Sequence, residues 1–135
     1  MMPKILIIED EIEMAQMYKD KFTEQGYEMV LAFTSEEGLE KAKKENPDLI
    51  ILDILLPTEN GISFLGKLRK EPMLKSIPVV ALSNYDEPRT RKEAQELRVL
   101  DYLIKTDYTP RKLVEEIKKY LPKIPKSKNK SLTKK

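Results

Sequence analysis

Five polar side chains stand where four apolar runs of the sequence end. Glu9 and Asp10 follow KILII, Asp53 follows LIIL, Ser83 closes VVALS and Lys105 follows DYLI. In an open α/β sheet, ligands bind outside the carboxyl ends of the parallel strands. If these runs are neighbouring strands, three carboxylates, one hydroxyl and one ammonium converge on one edge of the sheet. The sequence therefore predicts a charged pocket built from four strand ends.

Carboxylates crowded in this way are suited to metal binding and phosphoryl transfer. They repel one another, so all three stay ionised only if cations intervene. Mg²⁺ suits such a place because it takes oxygen ligands and often completes its shell with phosphate oxygens. A carboxylate can also attack phosphorus and form an aspartyl-phosphate. A metal ion and an ammonium would then neutralise the charge on the transferring phosphoryl group.

Asp53 is the candidate nucleophile of this pocket. It is the single carboxylate in a run of Leu and Ile over residues 49–56, and this run predicts a strand buried on both faces. Burying an ionised carboxylate without a partner is costly. Either Asp53 lies at the exposed end of the strand, or the site supplies positive charge.

Apolar runs alternate with amphipathic segments along the whole chain. Strands are predicted over residues 4–9, 27–33, 49–54, 78–83 and 101–105. Helices are predicted after each strand, the second capped by Thr34, the fourth around residues 87–98 and the last capped by Thr109. This alternation favours right-handed crossovers and a parallel sheet covered on both faces. The predicted fold class is a three-layer α/β/α sandwich.

Composition excludes several classes of protein. A chain of 135 residues has the length of one domain. It contains no Cys and no His, which excludes disulfides, serine or cysteine triads and imidazole metal sites. It shows no signal peptide and no apolar run of 18 or more residues, so we expect a cytoplasmic protein.

Charge divides the chain into two parts. Residues 122–135 carry six Lys and no acid, whereas residues 1–121 carry 19 cations and 23 carboxylates, a net charge of −4. The last 14 residues are rich in Lys, Pro, Ser and Asn and predict a disordered basic tail. We expect one folded domain over residues 1–121, with no nucleic-acid or membrane contact.

The polar strand ends resemble those of the receiver domains of two-component response regulators. The matching segments are ILIIEDE (5–11), DILLPTENG (53–61), VVALSN (79–84) and DYLIK (101–105). The resemblance covers roughly residues 3–121. It implies a flavodoxin-like fold, with a five-stranded parallel sheet of order 2-1-3-4-5.

The resemblance also implies a role for each polar residue. Asp53 matches the phosphoacceptor, Lys105 the phosphate-binding lysine and Ser83 the switch hydroxyl. Tyr102 matches the aromatic residue that turns inward on activation. The implied Mg²⁺ ion lies among the acidic pair Glu9 and Asp10, the phosphoacceptor Asp53 and the backbone carbonyl of Leu55.

A receiver domain is a phosphorylatable switch and not an enzyme with its own substrate. The resemblance implies that a sensor histidine kinase or a histidine phosphotransfer protein supplies the phosphoryl group. Output is expected through contact with a downstream protein target. The face built by the fourth helix, fifth strand and fifth helix is the expected output surface, and the protein is expected to be a monomer or a weak dimer through that face.

Several positions depart from the usual pattern of the family. Leu56 stands where many members have Met, and Thr106 follows Lys105 where the family usually has Pro. Arg98-Val99-Leu100 stands where a Gly-Ala pair usually ends the fourth helix. A left-handed helix cap is costlier without Gly. We therefore expect that helix end to be rebuilt.

Other functions fit parts of the pattern less well. An FMN-binding electron carrier would need a hydroxyl-rich and Gly-rich phosphate loop after the first strand, where Glu9-Asp10-Glu11 would repel phosphate. A phosphatase that works through an aspartyl-phosphate would carry a second Asp at position 55, which is Leu. A receiver-like binding module that no longer takes phosphate is the remaining alternative, although Asp53, Lys105 and the acidic pair argue against it.

Overall fold

The structure, a computed structural model, describes residues 2–56 and 59–121. The predicted basic tail, residues 122–135, lies outside the described residues. Strands and helices alternate in the order β1 (Lys4–Ile8), α1 (Ile12–Glu24), β2 (Glu28–Ala32), α2 (Ser35–Glu45), β3 (Leu49–Asp53), α3 (Gly61–Lys70), β4 (Val79–Ser83), α4 (Pro88–Glu96), β5 (Asp101–Ile104) and α5 (Pro110–Lys118). No helix of the described part is long and apolar enough to span a bilayer.

The five strands form one parallel sheet of order β2-β1-β3-β4-β5. Neighbouring strands are paired in register, as in Leu6 with Ile50 and Ile50 with Val79. The predicted α/β/α sandwich with a flavodoxin-like strand order is therefore confirmed. Strands β1, β3 and β4 are almost wholly buried, which is why their sequences are continuous apolar runs and do not alternate.

Alternate residues of each strand pack against helices on opposite faces of the sheet. One face meets α2, α3 and α4, with Leu6, Ile50 and Leu52 against the α3 residues Phe64 and Leu65. The other face meets α1 and α5, where the core consists of Ile5, Ile7, Tyr18, Phe22, Tyr27, Leu49, Ile51, Val80, Leu82, Leu103, Leu113, Val114, Ile117 and Leu121. The two cores hold the sheet rigid on both sides, so the strand ends are fixed in position.

Helix caps agree with the sequence in most places. The Thr109 hydroxyl accepts a hydrogen bond from the Lys112 amide at 3.2 Å, as expected for an N-cap. The Thr34 hydroxyl likewise accepts from the Glu37 amide at 3.1 Å. The reciprocal bond of the predicted capping box is displaced by one residue, because the Glu37 carboxylate accepts from the Phe33 amide at 2.7 Å.

The end of α4 differs from the expectation of a rebuilt helix end. Arg98 adopts the left-handed conformation with φ 64°, so the cap that usually needs Gly is kept with an Arg. The Val99 amide closes it by donating to the Ala94 carbonyl at 3.3 Å. The side chain of Arg69 on α3 donates to the carbonyls of Leu97 and Arg98 at 2.8 and 3.2 Å. The left-handed cap is thus retained and reinforced from a neighbouring helix.

Candidate functional site

The predicted pocket forms at the carboxyl edge of the sheet. Glu9 and Asp10 follow β1 directly, Asp53 is the last residue of β3 and Ser83 is the last residue of β4. Lys105 was predicted inside the fifth strand, but β5 ends at Ile104 and Lys105 begins a short 3-10 turn. Because β1, β3, β4 and β5 are consecutive neighbours in the sheet, their ends lie side by side.

One buried ammonium joins two of the carboxylates. Lys105 Nζ lies 2.9 Å from Glu9 Oε1 and 3.2 Å from Asp53 Oδ2. All three residues are buried, Glu9 to within 1% of complete burial. The second Glu9 oxygen, Oε2, accepts from the Glu11 amide at 3.2 Å. Of the two alternatives raised by the sequence, the second therefore holds: Asp53 ends β3 but is buried there, and the site supplies a cation beside it.

Burial and like charge shape the protonation of this pocket. Burial, followed by the nearby charge of Asp53, raises the pKa of Glu9 to about 7, although Lys105 opposes the shift. Burial lowers the pKa of Lys105, but the charges of Asp53 and Glu9 more than offset this and leave the pKa raised. The lysine therefore stays charged near neutral pH, and one ammonium faces more negative charge than it can neutralise.

The excess negative charge suits a divalent cation. Glu9, Asp10 and Asp53 each present a carboxylate oxygen, and these oxygens lie within 4.8 Å of one another. Oxygens on opposite sides of a Mg²⁺ ion are about 4.2 Å apart, because each Mg–O bond is about 2.1 Å. The observed spread of the three oxygens is thus close to the largest separation that one Mg²⁺ shell allows. The donor set, three hard carboxylates of which Asp10 is only partly buried, fits a magnesium ion with access to solvent.

The loop after β3 holds the carboxylate of Asp53 in place. Its Oδ1 accepts from the Leu55 amide at 3.1 Å, which puts Leu55 next to the carboxylate as predicted. The carbonyl of Leu55 as a metal ligand stays a prediction. Gly61 at the start of α3 donates to the Ile54 carbonyl at 2.8 Å. A Cβ at position 61 would come within 2.8 Å of Ile54 Cα, so only glycine allows this close approach.

Ser83 and Tyr102 lie on the other side of Asp53, around a cavity of about 200 Å³ that both residues line. The Ser83 hydroxyl accepts from the Tyr85 amide at 3.2 Å. The Tyr102 ring is already turned inward and only 4% exposed. Its buried hydroxyl has no hydrogen-bond partner among the residues that the structure describes. An unsatisfied buried hydroxyl is unusual in a folded protein and marks this ring as a candidate moving part.

Comparison with known proteins agrees with this geometry. The family profile described as "Response regulator receiver domain" matches residues 5–118. The chain belongs to the response regulator receiver domain family. Receiver domains are signalling switches of two-component systems, and they typically bind Mg²⁺ at an acidic cluster such as the one described above. They interact with histidine kinases or phosphotransfer proteins and with downstream targets.

Individual relatives of this receiver domain include complete regulators and isolated receivers. The alkaline phosphatase synthesis transcriptional regulatory protein PhoP of Bacillus subtilis is 33% identical over 118 residues, 87% of this chain and 48% of PhoP. The chain thus spans about half the length of the curated relatives that it matches. The chemotaxis response regulator CheY4 of Vibrio cholerae has a TM-score of 0.81 and 28% identity, over 90% of this chain and 100% of CheY4. The BeF3-activated receiver domain of Klebsiella pneumoniae RstA has a TM-score of 0.77 and 26% identity, over 89% and 99% of the two chains.

An arginine that the sequence did not single out holds Tyr102 of this receiver domain. The Arg91 guanidinium lies over the Tyr102 ring, 4.8 Å from its centroid, in a cation–π arrangement. It also forms an ion pair with Asp86 at 3.0 Å. Arg91 and Tyr102 are 11 residues apart, a spacing that predicts no contact within one helix or strand. Only the packing of α4 on β5 shows that they touch.

Glu59 is a second residue that the sequence did not single out. Its carboxylate accepts from the hydroxyls of Ser35 at 2.5 Å and Ser63 at 2.8 Å, and forms an ion pair with Lys67 at 2.8 Å. Lys67 first, and then the two hydroxyls, lower the pKa of Glu59 to about 2. This receiver domain therefore ties the loop after Asp53 to the start of α2. The sequence did not predict this contact because Ser35 and Glu59 are far apart in the chain.

Proposed function

We propose that this chain is a phosphorylation-dependent response regulator that accepts a phosphoryl group on Asp53. The observation that carries the proposal is the Lys105 ammonium, 2.9 Å from Glu9 and 3.2 Å from Asp53 in a buried pocket. A carboxylate at a rigid strand end, with a cation already beside it, is preorganised for phosphoryl transfer. The donor is a sensor histidine kinase or a histidine phosphotransfer protein.

The proposed chemistry is an in-line transfer from phosphohistidine. An Asp53 carboxylate oxygen forms the new P–O bond while the P–N bond to the donor imidazole breaks, and the imidazole keeps that electron pair and takes up a proton. Lys105 stays protonated and stabilises the phosphoryl oxygens. Glu9, Asp10 and Asp53, with the carbonyl of Leu55, would hold Mg²⁺, which supplies further positive charge to those oxygens.

Ser83 and Tyr102 are the proposed switch. A phosphoryl group on Asp53 brings close to two negative charges at neutral pH. These charges would attract the Ser83 hydroxyl as a hydrogen-bond donor and draw it away from the Tyr85 amide, from which it now accepts. Movement of Ser83 changes the shape of the cavity that Tyr102 lines and lets its hydroxyl find a new partner. The phosphoryl group then shifts a balance between two conformations and creates no new fold.

The proposed output surface is the face of α4, β5 and α5. Ala94 is the one fully buried residue of α4, so this helix is held by little apolar contact and can shift at low cost. Arg91 connects α4 to Tyr102, which joins the switch to this surface. A downstream protein target, or a weak dimer of this chain, would recognise the change on that face.

Intact-mass measurement tests the proposal. The full chain is incubated with acetyl phosphate and MgCl₂, and we expect a mass gain of one phosphoryl group that disappears in the Asp53→Asn variant. The matched control is Asp20→Asn on the exposed side of α1, which should gain the same mass as the unaltered chain. An undiminished gain in Asp53→Asn would refute the assignment of the phosphoacceptor. No gain in the unaltered chain would favour the alternative, a binding module that does not take phosphate.

A further inference from the structure

A basic groove lies at the amino edge of the sheet, opposite the acidic pocket. It has a volume of about 470 Å³ and runs between the segment that precedes β4 and the segment that precedes β5. Three cations, three apolar residues and one serine line it, namely Arg69, Lys75, Arg98, Ile77, Pro78, Leu100 and Ser76. No acidic residue is among the described residues that line the groove.

The three cations of the groove have no acidic partners in the described ranges 2–56 and 59–121. None of them forms an ion pair there, although many other surface Lys and Arg residues of this chain do. Arg69 and Arg98 are close enough to repel each other, and burial together with the charge of Arg98 lowers the pKa of Arg69. An anion placed in the groove would relieve this repulsion.

Arg69 is fixed in place by backbone carbonyls. Its Nη1 donates to Lys75 and Ile77 at 3.0 and 2.8 Å, while Nε and Nη2 donate to Leu97 and Arg98 at 2.8 and 3.2 Å. A guanidinium has five N–H groups. The fifth, on Nη2, has no acceptor among the residues that the structure describes. The side chain therefore braces both walls of the groove and keeps one N–H for a ligand.

Arg98 is held in an unfavourable conformation at the rim. Its φ of 64° lies in the left-handed region, which costs a residue with a side chain about 1 kcal/mol relative to Gly. Residues with strained backbone conformations concentrate at functional sites, where the side chain often has a role in function. At this position the side chain adds a cation to the groove that Gly would not provide.

Apolar surface accompanies these charges. Leu100 is 47% exposed, and Ile77 and Pro78 line the groove beside it. We propose that the groove binds an acidic segment of a partner protein, with carboxylates against Arg69, Lys75 and Arg98 and an apolar side chain against Leu100. An open groove with both features suits a short mixed segment better than a bare anion.

Two other occupants fit less well. A long polyanion such as a nucleic acid would meet a body whose residues 1–121 carry a net charge of −4. The tail of this chain carries six Lys and no acid, so it would be repelled by the groove. The proposal does not depend on phosphorylation of Asp53, which lies at the other edge of the sheet.

Peptide binding to the full chain tests this proposal. The probe is a fluorescent peptide with one central Leu flanked by Glu residues, and the control peptide has Gln in place of each Glu. We expect saturable anisotropy for the Glu peptide and none for the Gln peptide. The affinity should fall several-fold as the ionic strength rises from about 0.05 to 0.3 M, since salt screens charges at such distances. Amide shifts in NMR spectra should be confined to residues around 69, 75–78 and 97–100.

Variants at Arg98 separate its charge from its backbone conformation. Arg98→Asn tolerates the left-handed conformation but removes the cation, so it should weaken binding about two- to fivefold. Arg98→Lys should retain most of the affinity. The double variant Arg98→Asn with Lys75→Gln should lose about tenfold. The matched control is Lys70→Gln, an exposed residue of α3 outside the groove, which should bind normally.

Several results would overturn the proposal. Equal binding of the Glu and Gln peptides, or a double variant Arg98→Asn with Lys75→Gln that binds as well as the unaltered chain, would show that the cations are not used. Equal affinity for an oligonucleotide of the same charge would show that charge alone is recognised. NMR shifts elsewhere would place the site outside the groove. Sedimentation that shows self-association blocked by the peptide would identify a second copy of this chain as the occupant in its place.

Discussion

The two edges of the sheet carry opposite charge and manage it differently. At the carboxyl edge, Glu9 and Asp53 are buried and share one ammonium, from Lys105. At the amino edge, Arg69 and Arg98 lie in an open groove without acidic partners in the described part of the chain. The acidic edge needs a cation because its carboxylates are shut away from water. The basic edge can fold without an anion, since carbonyl oxygens and solvent satisfy its guanidinium groups, although a bound anion would reduce the repulsion between them.

The comparison shows how each edge can respond to a ligand. Ion binding should strongly change the stability of a buried pocket with unbalanced charge, because folding has already removed water from its charged groups. An open groove couples weakly, since water screens its charges. We therefore expect substitutions at the acidic edge to change stability through ions, and substitutions at the basic edge to act through hydrogen bonds and backbone conformation.

The largest expected effect belongs to Lys105. Lys105→Met leaves Glu9 and Asp53 buried without a cation, and should lower the free energy of unfolding by about 3 kcal/mol in EDTA. Mg²⁺ should restore more stability to this variant than to the unaltered chain. Urea denaturation with and without Mg²⁺ measures both quantities. Lys112→Met, at an exposed position of α5, is the control and its stability should change little. If the two variants had the same free energy of unfolding, the stability of the acidic edge would not depend on the Lys105 ammonium.

Arg69 should give the largest effect at the basic edge. Arg69→Met removes four hydrogen bonds to carbonyls of the two loops before β4 and β5. Water can replace part of them, so the expected loss is about 2 kcal/mol, and it should be the same with or without Mg²⁺. Urea denaturation beside Lys70→Met checks this. A loss that depended on Mg²⁺ would mean that the two edges are coupled through the sheet.

Glu9 should make the acidic edge sensitive to pH. Its pKa is raised from 4.5 to about 7 in the folded chain, so the folded state binds more protons than the unfolded state between these values. The metal-free protein should therefore lose stability as the pH rises from 4.5 through 7. Mg²⁺ competes with that proton, so its affinity should be about tenfold lower at pH 6 than at pH 8.

Calorimetric titration with Mg²⁺ at several pH values tests this linkage. Glu9→Gln cannot release the proton, and its affinity should change little over the same range. If Glu9→Gln kept the full pH dependence of the unaltered chain, another group would be responsible.

The smallest expected effect is a gain in stability at Arg98. Arg98→Gly relieves the left-handed conformation and should raise the free energy of unfolding by about 0.5–1 kcal/mol, after the larger entropy of Gly in the unfolded chain is taken into account. Thermal unfolding measures it. Gln95→Gly, inside α4, is the opposite control and should destabilise. A loss of stability in Arg98→Gly would mean that its side chain makes a contact that outweighs the strain.

Much of the fold could be predicted from apolar runs and their punctuation. The third strand was placed at residues 49–54 and forms at Leu49–Asp53, because a run of Leu and Ile between prolines permits little else. The ends of a strand depend on pairing with neighbouring strands, which the local residue pattern does not specify. The fourth helix is predicted around residues 87–98 but ends at Glu96, because Arg98 keeps the left-handed cap that the absence of Gly made unexpected.

The candidate site was predictable where a residue type stood at a strand end. Glu9, Asp10, Asp53, Ser83 and Lys105 meet as expected because parallel strands deliver their carboxyl ends to one edge. Side-chain contacts between distant segments were not predictable. Their existence depends on the packing of whole helices, as in Arg91 over Tyr102 and Glu59 with Ser35. The roles in phosphoryl transfer stay predictions.

The position of Lys105 has a consequence for the outer strand of the sheet. An edge strand has a neighbour on one side only and is ordinarily among the first parts of a sheet to open. Here the chain leaves β5 through a lysine whose ammonium reaches past β4 to β3 and β1. Opening of β5 would pull that ammonium away from two buried carboxylates. Deuterium exchange of the β5 amides thus reports on the charge at the ends of β3 and β1, two and three strands away.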